Sequence, residues 1–248
     1  MKISLITVTY NAAEFLEECI QSVINQTYKN LQYIIVDGGS TDKTISIINK
    51  YKEHISVFIS EPDKGIYDAM NKGIKSADGD VVGILNADDF FADQEVLSTI
   101  ANEFESSKAD IVYGDLWYIS RDNLAKVTRK WISGDFKRFK MQFGWMPAHP
   151  TFYAKKALFD QYGLYDLSYK TAADYDLMLR FLYKQQTVSS YVNKVFVKMR
   201  TGGVSNKLLI NRFNATLNDR KAMENNGISF SWLLILMKPF RKIEQFFN

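Results

Sequence analysis

The sequence predicts an α/β fold: a mostly parallel, Rossmann-like sheet with helices on both faces, continued by a helical extension at the carboxyl end. Three observations carry this. Short apolar runs of strand length alternate with segments of helical period, the connections between them are short, and each run ends in a polar cluster. A strand covered on both faces reads as a nearly continuous apolar run, because neither side of it meets water.

Ile3 to Val8 is the first such run and breaks at Thr9-Tyr10-Asn11. It turns polar too soon for a signal peptide and is read as a strand. Phe15, Leu16, Cys19, Ile20, Val23 and Ile24 recur at helical spacing opposite Glu14, Glu17, Glu18 and Gln21, which predicts an amphipathic helix. Tyr33 to Val36 is the second strand, ending at Asp37-Gly38-Gly39-Ser40. The next helix is expected to take its cap from Ser40 or Thr41 and to bury Ile45, Ile47, Ile48 and Tyr51. Ile55 to Ile59 is the third strand and Glu61 to Gly65 a loop. Ile66 to Ser76 follows as a helix, with Ile66, Ala69, Met70, Gly73 and Ile74 inward. Val81 to Leu85 is the fourth strand, and it runs into Asn86-Ala87-Asp88-Asp89.

Two adjacent carboxylates at a strand end repel each other unless a cation, a hydrogen-bonding ligand or a shifted pKa relieves them. A divalent ion shared with phosphate is one relief; a solvated Asp-Asp turn is the structural alternative. The four polar clusters all follow strands, so they gather at the carboxyl edge of the sheet, where open α/β sheets bind ligands.

Beyond Asp89 the regularity weakens. A helix is expected over Val96 to Phe104 and a strand over Ile111 to Asp115, then strand and turn from Leu116 to Trp131. Gly134 to Pro147 is basic and aromatic, and reads either as a lid or acceptor surface or as an irregular loop. A short helix begins near Lys155. Ala172 opens a helix with Asp174 in or just before its first turn, where the helix dipole favours an acid whatever its role. Val188 to Met199 supplies one or two strands.

Composition narrows the function. With 46% hydrophobic and 24% charged residues in 248, the chain has the makeup of a globular protein. A net charge of +3 with interspersed signs gives no case for nucleic acid binding. Cys19, the single cysteine, cannot form an internal disulfide and reads as a buried, inert thiol, in keeping with a cytoplasmic setting.

Taken together, these motifs resemble an inverting family 2 glycosyltransferase of the GT-A fold. The resemblance runs over residues 1–205: Ile6 to Asn11, Asp37-Gly38-Gly39-Ser40-Thr41-Asp42, Glu61 to Gly73, Asn86-Ala87-Asp88-Asp89, Asp174, and Arg200 with Gly202-Gly203-Val204-Ser205. It implies a donor half at 1–115, an acceptor half at 116–205 and a helical extension at 206–248. Asp37 is then expected to accept from the donor base, with Thr7, Thr9 and Asn11 lining the base and ribose pocket. Asp63, Lys64 and Asn71 would grip the donor from the third loop and helix. Asp88 would hold the ribose or share the metal, and Asp89 would ligate Mn²⁺ or Mg²⁺ across the two phosphates. Arg200 would lie near the diphosphate, and Asp174 would take the proton of the acceptor hydroxyl. His149 either orients acceptor or diphosphate or is structural.

The implied activity is transfer of one sugar, UDP-linked by expectation, to a glycan or polyprenyl-linked acceptor in cell-surface polysaccharide synthesis. The Gln-x-x-Arg-Trp signature of polymerising members is absent, and Met70 stands where many members carry arginine. A nucleotidyltransferase would want a glycine-rich basic loop after the first strand, which Thr9-Tyr10-Asn11-Ala12 does not supply. A non-catalytic nucleotide-sugar or glycan-binding protein would have no need of Asp37, Asp88, Asp89 and Asp174 together. In the tail, the apolar run from Phe230 to Met237 is short of the ~20 residues that cross a bilayer. With its flanking cations, 229–248 reads either as a peripheral contact with the inner face of the plasma membrane or as a packing surface.

Overall fold

The computed structural model describes residues 1–202 and 209–228. Four strands, β1 (Ile3–Thr9), β2 (Leu31–Asp37), β3 (Val57–Ser60) and β4 (Val81–Asn86), run parallel in the order β3-β2-β1-β4. The sheet continues beyond β4 through β8 (Tyr153–Lys155), β6 (Ile111–Ile119), β9 (Ser189–Arg200) and β5 (Asp89–Phe91). Here β8 is antiparallel to both neighbours, β9 is parallel to β6, and β5 is antiparallel to β9. A hairpin partner, β7 (Val127–Trp131), pairs with β6.

Strand residues alternate between the two faces, so each continuous apolar run serves two cores. Ile3 and Leu5 of β1 join Tyr33, Ile35, Val81 and Leu85 under helices α1 (Leu16–Ile24) and α4 (Val96–Ser107). Ile6 and Val8 join Ile34, Val36, Val82 and Ile84 on the other face, under α3 (Ile66–Lys75) and α7 (Ala173–Met178). Cys19 is fully buried in the first core, and burial pushes its thiol far above the ordinary range, as expected of an inert side chain.

Several boundaries differ from expectation. Helix α2 (Thr44–Lys50) starts later than Ser40 or Thr41 would cap it, because Ser40 is drawn into the preceding turn; the Asp42 carboxylate accepts from Thr44 N–H at 2.9 Å instead. Ile66 is 49% exposed, since the first turn of α3 stands at the open edge of the sheet. Strand β6 crosses the expected division at 115/116, so the two halves share one sheet. The 134–147 segment is anchored by buried Met141 and Trp145, with Arg138 stacked 4.2 Å from the Tyr183 ring, while Phe139 stays exposed.

The carboxyl-terminal extension enters the core. Helix α8 (Leu209–Asn225) leads to buried Ala222, Met223 and Ile228, and Asn226 Nδ2 donates to Asp176 Oδ1 at 2.9 Å. No helix among the described residues is long and apolar enough to cross a membrane. Gly203, Val204, Ser205 and the 229–248 segment lie outside the described residues.

Candidate active site

The strand register sets the polar clusters side by side. Asn86 lies opposite Val8, Thr9 opposite Asp37, and Asp37 opposite Ser60, so one row of strand ends carries the first, second, third and fourth loops. Thr9 is buried, and its hydroxyl makes no hydrogen bond among the described residues. Thr7, two residues inside the strand, is placed differently from expectation. Its side chain falls on the α1 face, fully buried, where Tyr33 Oη donates to it at 3.1 Å and Cys19 Sγ lies 3.9 Å away; it lines no pocket.

Asp37 is also redirected. Its carboxylate is fully buried, with Oδ2 accepting from Gly39 N–H (3.0 Å), Ser40 N–H (3.0 Å) and Ser60 Oγ (2.9 Å), and Oδ1 accepting from Ser40 Oγ. Four donors leave it no face toward a ligand, so its work is to fold the turn. Asn11 adopts a left-handed backbone (φ 48°) and ties the first loop to the second: its N–H donates to Ser40 Oγ at 2.8 Å and its Oδ1 accepts from Thr41 N–H at 2.9 Å. The ring of Tyr10 is left exposed beside this turn.

The third loop folds over the same edge. Asp63 Oδ1 accepts from Gly65 N–H (2.8 Å) and Asp68 Oδ2 from Lys64 N–H (3.0 Å), while Lys72 Nζ donates to Pro62 O at 2.9 Å and pairs with Glu61 at 2.8 Å. Lys64 is exposed at the surface. Asn71, expected to grip the donor, has both ends of its amide committed to one peptide: Nδ2 donates to Tyr165 O (2.8 Å) and Oδ1 accepts from Tyr165 N–H (3.0 Å). Asn71→Ala should therefore strand two buried backbone groups and cost about 2–4 kcal/mol, read by urea denaturation; a loss under about 0.5 kcal/mol would refute the role.

At the end of β4 the two carboxylates part company. Asp89 is fully buried; its Oδ2 accepts from Asn86 Nδ2 at 3.1 Å, and its Oδ1 makes no hydrogen bond among the described residues. Burial raises its pKa well above the usual carboxylate range, the Asp88 charge adds to this, and the Asn86 amide and Arg200 oppose it. Asp88 is only half-buried, and its carboxylate makes no hydrogen bond among the described residues. Arg200, expected at the diphosphate, is 5% exposed, with two guanidinium nitrogens held by the protein. Nη1 donates to the Asp88 carbonyl at 2.6 Å, Nη2 pairs with Glu18, and the guanidinium stacks 4.8 Å from Phe15 and 4.9 Å from Phe90. Its charge is spent on bracing the motif from behind.

The donor set fits a substrate-shared ion rather than a dedicated cage. Among the described residues no three His, Cys, Asp or Glu side chains converge on one point. What the motif offers is the Asp88 carboxylate, with unpartnered oxygens on Asp89 and Asn86 behind it. Mg²⁺ and Mn²⁺ accept such a site when phosphate and water complete the shell.

Asp174 sits in the first turn of α7, half-buried, with Oδ1 accepting from Tyr67 Oη (3.0 Å) and Tyr175 N–H (2.8 Å). Tyr67, on α3 directly after the third loop, packs against Tyr165 with ring centroids 5.5 Å apart, and Tyr165 Oη lies 2.7 Å from His149 Nε2. Burial lowers the His149 pKa, against the pull of the Asp174 charge, so this imidazole is held toward the neutral form. Tyr67 and Tyr165 carry no local motif that singles them out. Their link to Asp174 and His149 spans 107 and 16 residues and exists only in the fold.

The family model of glycosyl transferase family 2 matches residues 4–167, most of the chain. The chain belongs to glycosyl transferase family 2. This glycosyltransferase is 30% identical over 215 residues to a PGL/p-HBAD biosynthesis glycosyltransferase of Mycobacterium bovis, covering 85% of the present chain and 81% of that relative. It is 32% identical over 181 residues to an uncharacterized glycosyltransferase of Mycobacterium tuberculosis, covering 72% and 68%.

Its fold is GT-A. Staphylococcus aureus TarS 1-349, solved in complex with UDP-GlcNAc, superposes with a TM-score of 0.70 at 18% identity, over 91% of this chain. The mannosyltransferase PcManGT of Pyrobaculum calidifontis, solved with GDP-Man and Mn²⁺, gives 0.66 at 17% over 90%. The chain spans 65% and 63% of these two solved chains.

Proposed function

We propose that this glycosyltransferase moves one sugar, with inversion, from a UDP-sugar to a hydroxyl of a glycan or lipid-linked acceptor, at the inner face of the plasma membrane in cell-surface polysaccharide synthesis. The observation that carries the reading is the half-buried Asp88 carboxylate at the carboxyl edge of the sheet, which makes no hydrogen bond among the described residues. Asp88 takes the metal-ligand role and Asp89, buried behind it, supports the turn. A bound Mn²⁺ or Mg²⁺ supplies charge neutralisation at the diphosphate. Lys64, the exposed cation of the third loop with no ion pair among the described residues, meets phosphate.

Asp174 acts as the base. Because Oδ1 already accepts from Tyr67 and Tyr175, Oδ2 is the oxygen left for the acceptor hydroxyl. As Asp174 takes that proton, the acceptor oxygen attacks the anomeric carbon, the bond from that carbon to the diphosphate oxygen breaks, and the nucleoside diphosphate leaves. A single displacement inverts the anomeric centre.

The donor and the metal are tested together by calorimetric titration of UDP and GDP, with and without Mn²⁺, into the wild type and Asp88→Ala. UDP binding is expected to require Mn²⁺ and to be lost in the variant. If neither UDP nor GDP binds under any of these conditions, the donor reading is overturned.

A further inference from the structure

The base of the donor needs a hydrogen-bonding partner at this edge, and Asp37 has none to spare. The structure assigns that role to Asp63, which reaches into the space left open by Gly38 and selects a uracil base by one outward carboxylate oxygen. This rests on the reading of the site as a nucleotide-sugar pocket.

The geometry is local and specific. A β-carbon on Gly38 would stand inside contact distance of Asp63 Oδ2 and 3.4 Å from the Tyr10 ring. The carboxylate of the third loop therefore fills the volume that a side chain of the second loop would occupy, beside an aromatic ring that is 64% exposed. Gly38 N–H is itself tied to Thr9 O at 2.9 Å, which fixes the backbone of this turn to the end of β1. An exposed ring next to an acceptor is what a planar heterocycle needs: a face to stack on and an edge to pair with.

The two oxygens of Asp63 are not equivalent. Oδ1 is held by Gly65 N–H, so Oδ2 is the one that points at the gap. One acceptor suits one N–H, and uracil presents a single imide N–H on its pairing edge. Cytosine presents a ring acceptor at the same position, which a carboxylate repels. Guanine presents two adjacent donors, which want both oxygens of a carboxylate.

Asp63→Asn tests this without dismantling the loop. The amide carbonyl can replace Oδ1 on Gly65 N–H, which places the NH₂ where Oδ2 was and turns the outward acceptor into a donor. Titrations of UDP, CDP and GDP in saturating Mn²⁺ are expected to show UDP tightest for the wild type. In the variant UDP should weaken by about tenfold or more and CDP should strengthen, reversing their order. Gly38→Ala inserts a β-carbon into the same gap and should weaken UDP as well, an independent reading if Asp63→Asn does not fold. A wild type that prefers GDP or CDP, or an Asp63→Asn protein that keeps the wild-type order, overturns the assignment and leaves the nucleotide-sugar pocket standing. A wild type that binds none of the three overturns the donor reading itself.

Discussion

Asp174→Asn is expected to lower the transfer rate by about 10³-fold or more while leaving UDP affinity within about twofold of the wild type. The substitution keeps size and keeps a carbonyl for Tyr67 and Tyr175, so the first turn of α7 retains its hydrogen bonds. What it removes is an oxygen that can accept a proton. Initial rates of UDP release in the presence of acceptor, set beside calorimetric UDP binding, separate the two effects. Turnover equal to the wild type would remove Asp174 from the base position, and equal loss of binding and rate would make it a structural residue. Tyr67 ties this acid to the third loop: it lies in the first turn of α3, directly after that loop, and its hydroxyl donates to Asp174 on α7, so on the proposed reading one hydrogen bond joins the base to the donor loop.

The second large effect is expected at Arg200. Replacing it by leucine removes the bond to the Asp88 carbonyl, the pair with Glu18 and two ring contacts from a site that is 5% exposed. Breaking a buried, hydrogen-bonded charge of this kind costs about 2–4 kcal/mol, somewhat below the fully buried case because the Glu18 side chain is 43% exposed and can return to water. The same variant should weaken Mn²⁺-dependent UDP binding, because the backbone that presents Asp88 loses its support. Urea denaturation checks the first expectation and calorimetry the second. Stability within about 0.5 kcal/mol of the wild type would show that the brace is dispensable.

The parallel half of the fold was legible because its strands are apolar throughout and each ends abruptly in polar residues. The same uniformity hid which side chain faces which core. Thr7 and Thr9 look alike in the sequence, yet only Thr9 reaches the edge; Thr7 is two residues short of it and bonds to Tyr33. The polar site residues were found by type and position, but their commitments depend on partners far along the chain: Ser60 for Asp37, Tyr165 for Asn71, Glu18 for Arg200. Asp88 and Asp89 are neighbours in sequence, yet Asp89 is fully buried where β5 pairs with β9 and Asp88 is half-buried just before that strand. The antiparallel half was harder to read because β5 and β8 have three residues each, too few to establish a period.

The pairing of β5 with β9 also orders events in time. The acidic motif is made early in synthesis, but the strand that lies against it, and the arginine that braces it from 112 residues away, emerge near the end of the sheet. A ribosome-bound chain that stops before residue 189 can build β1 to β4 and their helices, yet Asp89 has no neighbouring strand and Asp88 no brace. Long-range closure of this kind is slow to form. Sugar transfer therefore becomes available only after the last strand has docked, and an incomplete chain that already holds its parallel core has no assembled motif with which to act on a donor.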